Sequence, residues 1–290
     1  MNMKKITGWQ AFVRLLNFEI RRFRWMLAGL MAITAVFQIG SLVTALLAKL
    51  DARRQDLLAW NHGAQPDAEP RWTPFSFIDL VGNELLMEFA WPILIGVAVI
   101  GIYIFFIWYR EWIGKDTFIY RLLMLPHPRF HIYLAKGCAV LLFVFSLVAF
   151  QIVLIPLEQW LFHLIVPEEM RLPSDFSAAV RVHLAWEILL PAAADQFVFS
   201  YGTGMISVMV VFTAILLERS FRGIGIVYGI GYAAVCAAAM LAPMQVLGMQ
   251  NPDAWLYPGE ILAIELAACA VVALVSLGLG YWLLNKKITV

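Results

Sequence analysis

Six apolar segments, at about 25–50, 87–109, 134–157, 196–217, 224–246 and 261–284, are each long enough to cross the hydrocarbon core of a bilayer, which takes roughly 20 residues at about 1.5 Å per residue. Lysines and arginines gather on one side of them. With the N-terminus inside, the inner pieces hold Lys4, Lys5, Arg14, Arg21, Arg22, Arg24, Arg110, Lys115, Arg121, Arg129, Lys136, Arg219, Arg222, Lys286 and Lys287, fifteen of the twenty-one basic residues. The outer pieces hold Lys49, Arg53, Arg54, Arg71, Arg171 and Arg181. Four acids lie inside, against sixteen outside or at outer helix ends. Basic bias of this kind orients a chain during insertion. It predicts an all-α protein of the cell membrane, with six spans and both termini in the cytoplasm.

Composition points the same way: 62% hydrophobic and 14% charged residues, with a mean hydropathy of +0.79, stand far from the soluble average of about 25% charged. The longest stretches between spans are about 35 to 40 residues, too short for independent cores, so residues 1–290 form one membrane domain. The net charge of +1 conceals a chain that is basic inside and acidic outside. The first apolar run is longer than a signal peptide's and ends at Leu46, Leu47, Ala48 and Lys49, so it stays as a helix. Cys138, Cys236 and Cys269 sit inside apolar segments and read as small packing residues.

Ahead of the first span, Trp9, Phe12, Val13, Leu16, Ile20 and Phe23 recur at three and four, while Gln10, Arg14, Asn17, Arg21 and Arg24 take the other face. The pattern predicts a basic helix over 1–24 lying along the inner membrane surface, with arginines toward anionic headgroups. On the outer side, the loop 51–86 mixes charge with prolines and aromatics. The connection 158–195 holds a turn-rich patch around Pro167 and Pro173, then an amphipathic piece interrupted by Arg181, His183 and Glu187. Each such charge at a bilayer centre costs about 2.5 to 3.5 kcal/mol, which places that piece at the outer surface. A short outer cap with aromatics follows at 249–260.

The inner connection 110–136 is the most informative. Asp116 is a good N-cap, 117–125 has helical patterning, and Pro126 and Pro128 end it. Nine residues span only about 13 to 14 Å. Phe118, Leu122 and Leu125 form an apolar strip, widened by Tyr120, Leu123 and Met124. A loop facing cytosol with that strip either folds back on the membrane or is covered by a partner.

Arg-Glu-x-x-x-Lys-Asp-Thr from Arg110, Leu-Leu-x-Leu-Pro from Leu122, a following Arg129, Leu-Ala-Lys at 134–136 and Tyr-x-Leu-x-Asn-Lys-Lys from Tyr281, with a basic elbow helix and six spans, resemble the ABC-2-type permeases. These are the membrane subunits of type V ABC exporters. The layout is similar over the whole chain; the motifs are confined to 111–136 and 281–290. The resemblance implies that 116–125 is a coupling helix seated in a groove of a separate ATPase, with Asp116, Thr117, Phe118, Tyr120, Leu122 and Leu125 at the contact. It also implies that Glu111 and Lys115 flank this contact and that Arg121 faces acids on the ATPase. The amphipathic stretch carrying Trp9, Phe12, Arg14, Leu16 and Arg21 becomes an elbow helix passing force into the first span. On the same resemblance, the short piece 218–223 is placed to touch the same partner. Two ATPase copies and a second permease, as a homodimer or with a sister chain, are implied, and ATP and Mg belong to the ATPase. No nucleic-acid partner is implied.

This chain lacks a nucleotide site of its own: Tyr109 stands where a P-loop before Gly114-Lys115 needs glycine, and Asp116 replaces its Ser or Thr. Hydrolase chemistry is equally poorly supplied. His127 and His131 have Pro128 between them and no neighbouring glutamate, unlike a zinc helix. Glu168-Glu169-Met170-Arg171 falls in an outer loop, and Ser207 after Gly204 lacks the following glycine of an intramembrane serine nucleophile.

Within the spans, Thr34, Gln38, Ser41 and Thr44 share a face, either for interhelical hydrogen bonding or to line a route between protomers. Gly225 and Gly229 form a small-xxx-small pair for close helix packing. Glu88 and Glu265 sit near outer ends, placed for interfacial solvation or for substrate release or dimer gating. Spans rich in Phe105, Phe106, Trp108, Phe143, Phe145 and Phe150 suit an apolar or amphipathic cargo, or simply face lipid and core. Within the family, the long 158–195 connection resembles that of exporters of phenol-soluble modulins and related amphipathic peptides. Export of drugs or lipids is the alternative.

Overall fold

The computed structural model describes residues 8–61, 74–112, 124, 128–174, 186, 189–191, 193–246 and 257–288. Among them the chain is helical, its only strand-like pairing a single bridge between Phe75 and Arg171. Six long helices are α1 (Gly8–Asn61), α2 (Leu86–Trp112), α3 (Phe130–Ile165), α4 (Ala194–Ser220), α5 (Arg222–Val246) and α6 (Pro258–Trp282). Each is long and apolar enough to cross a membrane, and the chain is a multi-pass membrane protein. Large apolar side chains such as Val36, Ile102, Val153, Val227 and Leu274 are correspondingly exposed, a cost in water but none against lipid tails.

The helices overrun the apolar segments that announce them. The basic amphipathic stretch is continuous in helix with the first span: it is the start of α1, which covers 54 residues. No proline or glycine stands between Phe12 and Trp25, and its leucines and arginines favour helix. Likewise α1 continues to Asn61 and α3 to Ile165, through residues expected in the outer connections. The expected helix at 116–125 lies outside the described residues, Met124 excepted.

The chain divides into two compact units. One comprises Met1–Phe23, Ile100–Leu142 and Ala194–Val290. Its aromatic core stacks Phe130 on Tyr133, with centroids 5.6 Å apart and planes at 11°, and sets Phe212 edge-on to Trp108 at 5.6 Å and to Tyr133 at 5.7 Å. Hydrogen bonds then tie α3, α4, α5 and α6. The Tyr133 hydroxyl donates to the Met209 carbonyl at 2.9 Å and lies 3.2 Å from Thr213 Oγ1. Thr213 donates to the Ser276 carbonyl at 3.1 Å, and Ser276 Oγ meets the Tyr232 hydroxyl at 2.7 Å. Such polar bonds join helices where no hydrophobic effect drives them together. Arg129, whose sequence position reveals only a charge on the inner side, donates to the carbonyls of Leu284 and Ile288 at 3.2 and 2.9 Å, satisfying acceptors that the end of a helix leaves open.

The other unit comprises Arg24–Val99 and Phe143–Ala193. Its core gathers Leu42, Leu46, Phe77, Leu80, Phe89, Ile155, Phe162 and Trp186. Ser76 and Asp79 cap the short turn Phe77–Asp79 reciprocally, at 3.0 Å from Asp79 N–H to Ser76 Oγ and 3.2 Å from Ser76 N–H to Asp79 Oδ2. Gln38 of α1 is fully buried and donates to the Phe89 carbonyl at 3.2 Å, while Gln151 of α3 donates to Gln38 Oε1 at 3.1 Å. Pro92 stands one turn beyond Phe89 in α2. Pro92 has no N–H for the carbonyl four residues back, that of Glu88, and the Gln38 bond to Phe89 ties α1 to α2 in the same turn.

Candidate functional site

Where α2 ends, three helices bring together charges that the sequence scatters. The apolar run of α2 closes on Tyr109, Arg110, Glu111 and Trp112. On α3, Ile132, Tyr133, Ala139, Val140 and Phe143 are buried, and Lys136 falls on the same face, carried inward by helical spacing. On α1 the buried positions Ala11, Glu19 and Phe23 recur at multiples of four. The result is an ion junction inside the unit described first.

Lys136 Nζ lies 2.8 Å from Glu19 Oε1 and 2.7 Å from Glu111 Oε1, and donates to the Ile107 carbonyl at 3.0 Å. An ammonium has three donors, and all three are used. Arg22 Nη1 adds a contact of 3.3 Å to Glu111 Oε1. The side chains of Lys136 and Glu111 are 0% exposed and that of Glu19 4%, with Arg22 reaching solvent at 23%. Two carboxyl groups thus face two cations. Aromatic walls enclose the group: Lys136 Nζ lies 5.3 Å from the Trp108 ring, and Arg110 sits 4.7 Å over Phe23.

A second tie lies beside it. The Tyr109 hydroxyl donates to Glu218 of α4, and the Arg219 guanidinium lies 4.8 Å over the Tyr109 ring and 5.9 Å over Trp112. The piece 218–223 is less a loop than a tight corner, since α4 runs to Ser220 and α5 begins at Arg222. The segment 113–123 leaves α2 directly beyond these two ties.

The structure distributes the other expected site residues as follows. Glu111 is at the centre of the junction. Lys115, Asp116, Thr117, Phe118, Tyr120, Arg121, Leu122 and Leu125 lie outside the described residues. At the start of α1, Trp9, Arg14 and Arg21 are exposed, while Phe12 and Leu16 are half-buried; Phe12 stacks on Trp9 at 5.6 Å and meets His131 edge-on at 6.3 Å. The stripe on α1 separates by role. Gln38 bridges helices, whereas Ser41 donates to the Gln38 carbonyl at 3.0 Å and Thr44 to those of Gly40 and Ser41 at 3.0 and 2.9 Å, all on their own helix. Thr34 is half-buried. Glu88 is also half-buried, and Glu265, placed by its sequence position within reach of water, is buried at 9% exposure. The aromatics split as well: Phe105, Phe106 and Phe145 are exposed, whereas Trp108 and Phe143 are core.

Glu19 and Lys136 are the residues that sequence reasoning missed. Lys136 stands in the sequence as an inner charge and as part of the Leu-Ala-Lys motif, and neither says that a lysine spaced with Ile132, Tyr133, Val140 and Phe143 has to find a buried partner. Among the described residues no cluster of histidine, cysteine, aspartate and glutamate is placed to hold a metal ion. No known protein family, curated protein or solved structure matches this chain.

Proposed function

We propose that this chain is the membrane-spanning subunit of an ATP-driven exporter, working with a separate ATPase that seats on the segment 113–125 from the cytoplasmic side. The observation that carries the reading is the junction at the end of α2. A push on a flexible stalk is absorbed locally. A push on a segment that leaves α2 beside a buried, fully bonded lysine is passed to α1 and α3 together, because moving Glu111 alone would leave charges buried without partners. The Tyr109–Glu218 tie extends the same lever to α4. Rigid-body rocking between two packings is the motion such a lever serves. The resemblance to ABC-2-type permeases in 111–136 supports the same reading, and the few charged groups along the spans favour an amphipathic peptide or similar hydrophobic cargo over a sugar or an ion. Two copies of the chain, or this chain and a sister permease, would form the pathway.

The full chain purified from its native membrane in mild detergent should bring an ATP-hydrolysing subunit with it. Phe118→Ala, Arg121→Glu and Leu122→Ala together should weaken that capture at least tenfold, the effect of about 1.4 kcal/mol, because an apolar strip with one cation concentrates its binding energy in few side chains. Full-strength capture by the triple variant, with the six helices intact by circular dichroism, contradicts the assignment.

A further inference from the structure

We propose that Glu158 is a proton-binding site, a carboxyl held as the neutral acid inside the apolar core of the second unit. Neither the ATPase nor the cargo enters the argument, so the inference goes beyond the exporter reading and does not depend on it. Gln151, Ile155, Glu158 and Phe162 follow one another on α3 at steps of four, three and four, and all are buried, Glu158 at 0% exposure. Ile155 and Phe162 belong to the core that holds Leu42, Leu46, Phe77 and Phe89. Both carboxyl oxygens of Glu158 are buried, and neither has a hydrogen-bond partner.

Among the described residues, the charged groups of the same unit are engaged elsewhere or face outward. Lys49 pairs with Glu84 at 2.6 Å, Arg53 with Glu169 at 3.5 Å and Arg171 with Glu168 at 4.0 Å. Asp79 caps Ser76. Asp51, Arg54, Asp56 and His163 are exposed, and Glu88 is half-buried at the start of α2. Among the described residues, then, no cation answers Glu158.

Glu19 and Glu111 show how this chain treats a buried carboxylate: each has Lys136 within 3 Å. A carboxylate with no such partner pays several kcal/mol in a low-dielectric interior and neutralises instead. Of the cations that could neutralise it, a divalent metal needs six or more oxygen ligands for calcium or octahedral ones for magnesium, and no such group surrounds the site among the described residues. A proton needs no additional ligand and no cavity. Since no water reaches either oxygen in this packing, the proton can leave or return only when the core around α3 opens, and one proton taken up or released marks each opening.

Infrared difference spectroscopy on the full-length protein in detergent at neutral pH tests this directly. Exposed carboxyls titrate near about 4 and contribute only carboxylate bands there. Subtracting Glu158→Gln from wild type should leave one carboxylic-acid carbonyl band and no carboxylate bands, and Glu158→Leu should serve as an equivalent blank if the glutamine variant does not fold. Carboxylate bands in the difference, with either blank, would overturn the proposal. Should neither variant fold, an apolar carbodiimide, which reacts with the acid and not with its anion, should modify Glu158 in the wild-type chain. A wild-type spectrum at neutral pH with no carboxylic-acid carbonyl band at all would overturn it as well.

Discussion

Replacing Lys136 by methionine should destabilise the protein by about 3–5 kcal/mol, the cost of removing one partner from a buried ion group. Methionine preserves most of the apolar stem and removes only the ammonium. What remains is Glu19 and Glu111, whose Oε1 atoms lose contacts of 2.8 and 2.7 Å, and an Ile107 carbonyl that loses a donor at 3.0 Å. Arg22 meets Glu111 at 3.3 Å and partly in solvent, and one partly exposed cation does not replace the buried ammonium for both carboxylates. The thermal unfolding midpoint in detergent should fall accordingly. Adding Glu19→Gln and Glu111→Gln to Lys136→Met should recover most of the loss, because a neutral group of similar shape removes the uncompensated charge along with the pair. An unchanged midpoint for Lys136→Met alone would show that the junction holds nothing together.

Leucine at Gly225 or Gly229 should be the next most damaging change, costing about 1–3 kcal/mol or more through overpacking. A Cβ at Gly229 would stand 2.8 Å from the Ala214 carbonyl oxygen, and one at Gly225 would press on the backbone of Glu218, with its Cα and C both at 2.8 Å. Backbone atoms of α4 cannot swing aside as a side-chain tip can, so α4 and α5 must separate. Gly231, on the same helix, has open space where its Cβ would lie. Gly231→Leu should therefore leave the unfolding midpoint nearly unchanged, and equal losses at all three positions would exclude close packing as the cause.

These two expectations differ in how far the sequence reveals them. The spacing of Gly225 and Gly229 is local and by itself announces a close helix approach. Hydropathy likewise locates all six helices, because it records which residues meet lipid. It misses their ends, since helix propensity does not stop at the membrane surface: 8–24 and 51–61 continue α1, and 158–165 continue α3. The junction is a different case. Glu19 and Lys136 lie 117 positions apart and Glu111 and Lys136 25, and no periodicity on one helix says which charge on another it will meet. Lys136 betrays itself only by standing on an apolar face, and Glu158 by the same sign at a position the sequence assigned to an outer connection.

The central claim is that the end of the helices holding Glu19, Glu111 and Lys136 faces the cytoplasm, where an ATPase can reach the segment that leaves α2. Thiol labelling in intact cells tests it most directly. In a background with Cys138, Cys236 and Cys269 replaced by alanine, single cysteines are placed by Gln55→Cys, in the far end of α1, and Thr117→Cys, beyond α2. A membrane-impermeant maleimide should modify the first at once and the second only after the membrane is permeabilised. Labelling of Thr117→Cys in sealed cells, with Gln55→Cys protected, would place the segment on the outside and contradict the account.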